Sequence, residues 1–326
     1  MSTKFPCGLL VFAISSGIAG VGYKGVVSGP KLVAVMGPTG SGKSAVAERL
    51  ADDWGAILVN ADAFQVYRGF DIGTNKPTNR ERYELVDICD PEEQFGVGEW
   101  LRRVEGILQS AWEAREDVIV VGGTGLYIRA LFEGYAEMSG PPDPDLREEL
   151  MRREAEEGLE KLVELLKTVD PGLAARVDLR NGVRVRRALE KVLGGGEQIQ
   201  VEVPDFRKFK FGLDVAVEEL RQRLEKRLLE MIDGGWIEEV RKLNDINVSE
   251  NAPAMRAIGY YSWRCYLSGA TTFDEAFAEV LKLTVQYAKR QRTWMRKEPN
   301  LNMIAMQSWD EAGLEAAVSA IKTSVD

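Results

Sequence analysis

The 326-residue chain contains no histidine. That removes the commonest general base and a common metal ligand, so any proton transfer falls to Asp, Glu, Lys, Tyr or water. Cysteine is nearly missing as well: Cys7, Cys89 and Cys265 are far apart and odd in number. Neither a disulfide framework nor a cysteine zinc site is available, and a reducing, cytoplasmic setting fits best. There is no basic excess; 42 Lys and Arg against 51 Asp and Glu leave a net charge of −9, which argues against indiscriminate nucleic-acid binding by the whole surface. A local basic face is still permitted. No repeat, low-complexity tract or coiled-coil heptad is present. The longest apolar run, GLLVFAISSGIAGVG within residues 1–30, is too short and Gly-rich for a membrane span. Lys4 is its sole early charge and no clear cleavage site follows. We read residues 1–30 as a loosely ordered extension.

What is present centres on KLVAVM followed by GPTGSGKS. The first six residues, from Lys31, are a short apolar run rich in β-branched side chains, and predict a buried strand. Gly37, Pro38, Thr39, Gly40, Ser41, Gly42, Lys43 and Ser44 have the spacing of a phosphate-binding loop. Its glycines let successive backbone N–H groups turn toward phosphate oxygens, Lys43 brings a positive charge to the terminal phosphate, and Ser44 an oxygen for Mg2+. The following AVAERLADDW has helical apolar spacing, so a bound phosphate sits on a helix N-terminus.

Further along, the apolar run 56–59 ends in Asn60, Ala61 and Asp62, at the carboxyl edge of a parallel sheet where α/β proteins hold ligands. Asp62 is a candidate general base or magnesium partner, or else a cap on the next turn. FQVYRGFDIGTNKP, from Phe64 to Pro77, is a polar and aromatic loop suited to an acceptor. An amphipathic helix over 98–113 leads to a strand over 117–121 and the Gly-rich turn GGTGLY, where Thr124 either projects into the same crevice or caps its helix. SGPPDP at 139–144 is a linker signal, and the charged stretch to about residue 200 predicts a small inserted helical domain. A strand over 204–213 and one long helix over 218–243, bearing Arg223 and Arg227 on one face, follow. The last third reads as helical. Within it KLTVQYAKRQRTWMRK, 282–297, holds no acid and interleaves cations with Tyr287 and Trp294, the pattern that stacking plus phosphate contact requires.

These motifs together resemble the tRNA dimethylallyltransferases, in their bacterial form. GPTGSGKS, ADAFQVYRGFDIGTNKP, VVGGTGLYIRAL, MRAIGY and YAKRQRTWMR occur in the family's order over about residues 31–300. The resemblance implies an α/β, P-loop NTPase-like core, 31–140 and 205–326, with a central parallel sheet flanked by helices and a helical C-terminal region. An inserted helical domain, 141–204, interrupts it. It also implies transfer of a dimethylallyl group from dimethylallyl diphosphate to N6 of adenosine-37 in tRNA, with Mg2+ as cofactor and a monomer as the working form. By the same resemblance Asp62 draws the proton from the attacking amine and Thr124 lies between the reacting centres. The loop Thr39 to Ser44 holds the donor's diphosphate in place of ATP, and Arg223, with Arg227 as second choice, neutralises it alongside Lys43. Asp62, Ala63, Phe64, Gln65, Thr124, Arg147, Arg256, Lys289, Arg290, Gln291, Arg292, Thr293, Trp294 and Arg296 match places where the family touches tRNA.

Departures from the family pattern occur at Tyr83 and Glu84, where a histidine pair is usual, at Val177, Asp178 and Leu179, and at Tyr261, where a charge is usual. Two rival functions share parts of these motifs. A small-molecule kinase uses the same loop with Asp62 activating a hydroxyl. A prenyltransferase acting on free AMP, ADP or ATP shares most of the core motifs but has no need of a long basic surface.

Overall fold

A computed structural model describes residues 29–134, 143–194, 201–306 and 308–325. The extension expected over residues 1–30, save its last two, and the Gly-rich stretch 195–200 lie outside the described residues, as does most of the linker. The chain runs β1 Lys31–Met36, α1 Lys43–Trp54, β2 Ile57–Asn60, β3 Tyr83–Glu84, α2 Val97–Ala114, β4 Val118–Gly122 and α3 Gly125–Glu133. Then come α4 Pro144–Glu157, α5 Leu159–Val169, α6 Pro171–Ala174 and α7 Gly182–Leu193. The chain closes with β5 Arg207–Asp214, α8 Val217–Asp233, α9 Trp236–Asp245, α10 Tyr260–Leu267, α11 Phe273–Met295, β6 Leu301–Ala305 and α12 Glu311–Val325.

The six strands pair in the order β3-β2-β4-β1-β5-β6, all parallel. Central strands buried on both faces need continuous apolar sequence, which KLVAVM and VIVVG supply. On one face α2 and α3 pack through Trp100, Leu101, Val104, Leu108, Ile128 and Leu131. On the other α1 and α12 pack through Val46, Leu50, Val318 and Ile321. A third cluster, built from Val66, Phe70, Trp236, Val240, Tyr260, Trp263 and Val280, seats the 64–77 loop beside α9, α10 and α11. Helices α4 to α7 carry their own small core around Leu150, Leu162, Leu166, Val185 and Leu189. Among the described residues no helix is long and apolar enough to cross a membrane.

Two expectations need correction. The single helix over 218–243 is two, because Gly234 and Gly235 break it and Gly235 takes φ 98°, a left-handed value that ends α8 and starts α9 at a new angle. The last third is not wholly helical: β6 adds a parallel edge strand whose partly exposed, non-alternating burial hid it. A two-residue strand, β3, also pairs with β2, in a stretch to which the sequence reading assigned no element.

Candidate functional site

The 37–44 loop closes as a tight turn in which Ser41 N–H donates to the Pro38 carbonyl at 3.0 Å. Gly40 and Gly42 adopt φ 81° and 82°, where a side chain would strain the backbone. Gly42 is the N-cap of α1, so Lys43 and Ser44 form that helix's first turn and its dipole faces the cavity. Leu220 and Leu224 of α8 press on Gly40 from one side, and Trp309 presses on Gly42 from the other.

Beside the loop, the ends of β2 and β4 touch. A Cβ at Gly122 would lie 2.1 Å from the Ala61 carbonyl oxygen, so only glycine lets the two strands approach. Buried Asn60 fixes the turn: its Oδ1 accepts from Asp62 N–H at 3.0 Å and its Nδ2 donates to the Leu85 carbonyl at 3.0 Å. Trp100 Nε1 holds the Asn60 carbonyl at 2.8 Å. Asp62 does cap locally, since Oδ1 accepts from Phe64 N–H at 2.9 Å, yet the same carboxylate lines the cavity. Thr124 stands at the N-cap of α3 but makes no capping bond. Its hydroxyl instead accepts from Ala63 N–H at 3.1 Å, which ties the Asp62 turn to the GGTG turn and sets aside the capping alternative.

The cavity has two chemically different walls. Thr39, Lys43, Ser44, Arg227 and Asp62 make a polar end, while Leu224, Leu228, Met231, Trp236, Ala257 and Ile258 make an apolar side. Burial pushes Lys43 down to about 8, against the pull of Asp62 and with the added push of Arg227. Arg227 is pushed down to about 10, again chiefly by burial and then by Arg223. Two cations held so poorly solvated make a site that favours an anion. Arg227 Nη2 donates to Thr39 Oγ1 at 2.7 Å. Arg223, the first choice from sequence, does not line this cavity; its guanidinium stacks 3.5 Å over the Trp309 ring. Of the two, the geometry brings Arg227 to the phosphate loop.

The 64–77 loop is pinned before any ligand arrives. The Glu239 carboxylate accepts from the N–H groups of Asp71 at 3.0 Å and Ile72 at 2.8 Å, and from the Tyr260 hydroxyl at 2.6 Å. Lys76, its side chain fully buried, pairs with Asp71 at 2.7 Å and with Asp87 at 2.5 Å. Gln65 Nε2 donates to the carbonyls of Thr74 at 3.0 Å and Asn75 at 2.9 Å, so its amide braces the cavity wall it also lines.

The basic run divides by face. Lys289, Arg290, Thr293 and Arg296 are exposed, and so is Arg256. Gln291 is not: at 5 % exposure it is buried against the site. Its Oε1 accepts from Thr39 N–H at 2.7 Å and its Nε2 donates to the Gly123 carbonyl at 3.1 Å. Trp294 packs on Gly125 and lies beneath the Arg129 guanidinium, 4.3 Å from its ring centroid. Arg292 reaches Asp214 at 3.3 Å. Arg147, in the inserted helices, is held by a two-pronged pair with Glu190 at 2.9 and 3.2 Å, which occupies the fork expected to meet RNA. Ala63 and Phe64 follow Asp62 at the cavity edge, and Phe64 lines it.

The IPP transferase profile matches residues 65–298, and an isopentenyl transferase profile matches residues 30–88. The tRNA dimethylallyltransferase of Syntrophobacter fumaroxidans is 40% identical over 279 residues, 82% of this chain and 81% of that one. The chain belongs to this family. A second such relative, from Geobacter metallireducens, is 41% identical over 83% of this chain and 91% of its own. The solved tRNA isopentenylpyrophosphate transferase of Bacillus halodurans superposes with a TM-score of 0.66 at 31% identity, over 90% of this chain and 96% of that one. In this chain Tyr83, at a place of the usual histidine pair, donates to Glu48 Oε1 at 2.6 Å. Tyr261 is exposed on α10. The apolar wall and the buried role of Gln291 were missed from sequence. The signal for Gln291 was its spacing, four after Tyr287 and three before Trp294, one face of a helix set against the glycines of GGTG.

Proposed function

We propose that this transferase moves a dimethylallyl group from dimethylallyl diphosphate to N6 of adenosine-37, beside the anticodon of tRNA, and releases diphosphate. One observation carries the reading: a single cavity lined by two desolvated cations and the Asp62 carboxylate on its polar part and by an apolar wall elsewhere. A five-carbon allylic diphosphate has that division of polarity. The exocyclic amine attacks C1 of the prenyl group as the C1–O bond breaks; the bonding electrons leave with the diphosphate, and the amine proton passes to Asp62. Loop amides, Lys43 and Arg227 stabilise the negative charge that develops on the leaving oxygens. The amine loses its proton late, so a carboxylate suffices as base.

The residues present fit a magnesium ion. The Ser44 hydroxyl lines the cavity and makes no hydrogen bond to another side chain among the described residues, and Asp62 adds a second hard oxygen near it. Ser44 and Asp62 would hold Mg2+ together with phosphate oxygens, and the ion would supply further neutralisation of the leaving group. Lys289, Arg290, Arg296 and Arg256 offer an exposed cationic surface for the RNA backbone. We read the enzyme as a cytoplasmic monomer. The adenine must leave its stack to reach Asp62, at a cost of a few kcal/mol that phosphate contacts offset.

Labelled dimethylallyl diphosphate and Mg2+ with, in parallel, an anticodon stem-loop, the same stem-loop carrying guanosine at the target position, and free AMP test the reading. Label is expected in the first alone. Transfer to AMP with the stem-loop ignored would overturn it in favour of the free-nucleotide enzyme, and phosphorylation from ATP without prenyl transfer in favour of a kinase.

A further inference from the structure

The basic run on α11 has a second face whose purpose the functional reading leaves open. Tyr287, Gln291 and Trp294 project from it onto the turn after β4. A Cβ at Gly123 would lie 2.0 Å from Gln291 Nε2, and one at Gly125 would lie 3.0 Å from the Trp294 ring. The GGTG turn and the KRQRTW run are therefore complementary surfaces: each glycine is small where a side chain of α11 is large. Gln291 links this lock to the phosphate loop. Its amide is buried, so each polar end needs a partner. The partners are backbone groups of two different loops, Thr39 N–H and the Gly123 carbonyl. Thr39 is gripped a second time, through its hydroxyl, by Arg227 of α8.

We propose that Gln291 is a positioning residue for the donor diphosphate: from the cavity wall it holds the Thr39 amide, ties the phosphate loop to the Gly123 turn, and makes no contact with tRNA. This rests on the reading of the loop as the seat of the donor's diphosphate. The residue must be neutral and must both accept and donate. A carboxylate of the same shape still accepts from Thr39 N–H, but it faces the Gly123 carbonyl oxygen without a proton and places a negative charge beside the anion site. A thioether of the same length leaves both backbone groups without partners. The exposed cations lie elsewhere on the helix, Arg290 a third of a turn away, so RNA affinity is separable from loop geometry.

The test compares Gln291→Glu, Gln291→Met and Arg290→Ala with the parent enzyme, using inorganic pyrophosphate binding by calorimetry without RNA, tRNA binding by filter retention, and steady-state transfer. The expected result is that both Gln291 variants lose at least tenfold in pyrophosphate affinity and raise KM for dimethylallyl diphosphate, while tRNA affinity stays within twofold. Arg290→Ala shows the reverse. Unchanged pyrophosphate affinity with weakened tRNA binding in the Gln291 variants overturns the proposal, because Gln291 then serves the RNA. Failure of both Gln291 variants to fold overturns it too, since the residue then serves the fold. Should the parent bind pyrophosphate in a Gln291-dependent way yet never prenylate tRNA, the functional reading falls and this one stands.

Discussion

Replacing Arg227 with alanine separates two arginines one helical turn apart. Burial holds the Arg227 guanidinium at about 10 against an ordinary 12.5. At about 1.4 kcal/mol per pH unit, that gap is roughly 3 kcal/mol, the net of burial and the neighbouring Arg223 charge against the pull of Asp62 and Glu230. An arriving diphosphate relieves it, and the relief is greatest when charge builds on the leaving oxygens. Arg227→Ala should therefore lower kcat/KM for the donor by about 100-fold, in line with the loss of one well-placed donor at a developing oxyanion. Arg223 stacks on Trp309, an interaction of about 0.5–1 kcal/mol, so Arg223→Ala should cost about fivefold or less. The assay is single-turnover transfer of labelled dimethylallyl to an anticodon stem-loop at saturating RNA, with melting temperature measured alongside. Removing a buried cation should leave Tm unchanged or higher. An Arg227→Ala enzyme within threefold of the parent, or an Arg223→Ala enzyme that is the worse of the two, would refute the reasoning.

Asp62→Asn should abolish transfer while tRNA binding by filter retention changes less than threefold; joint loss would assign the residue a structural role. Lys43, held at about 8, is charged below that pH and neutral above it, so pyrophosphate affinity should fall as pH rises through 8. Binding near pH 8 should take up a proton, read as a buffer-dependent calorimetric enthalpy, and an enthalpy independent of buffer would contradict this. Because Lys43 is depressed from 10.5 in the folded state, the unfolded chain holds its proton more tightly between pH 8 and 10.5. The Lys43 contribution to stability should thus rise with pH across that window, which a Lys43→Met variant would lack in urea melts. Gly122→Ala, whose Cβ meets the Ala61 carbonyl at 2.1 Å, should destabilise by about 3 kcal/mol or more; denaturant melts reading under about 1 kcal/mol would disprove that backbone contact.

The strand, loop and helix from Lys31 to Trp54 were legible because three local signals agree there: an apolar run, glycines at fixed spacing and helical periodicity. The places of Asp62 and Thr124 followed from where their strands end. The choice between Arg223 and Arg227 was closed to local reasoning, since both share a helix face and the ring that occupies Arg223 comes from residue 309, far along the chain. Gln291 went astray for a related reason. Its neighbours are cations, and average polarity marked the whole stretch as exposed although one helix carries two faces with separate tasks. The Gly234–Gly235 break was visible as a pair of poor helix formers, but the amphipathic pattern on either side outweighed it.

The Glu239 carboxylate plugs a small concavity of amide hydrogens at residues 71 and 72. Left bare, that hollow would attract phosphate in its own right. With an internal acid already seated there, those amides are spent within the fold, and an anion reaching the cavity meets the cradle at residues 37–44 without a rival.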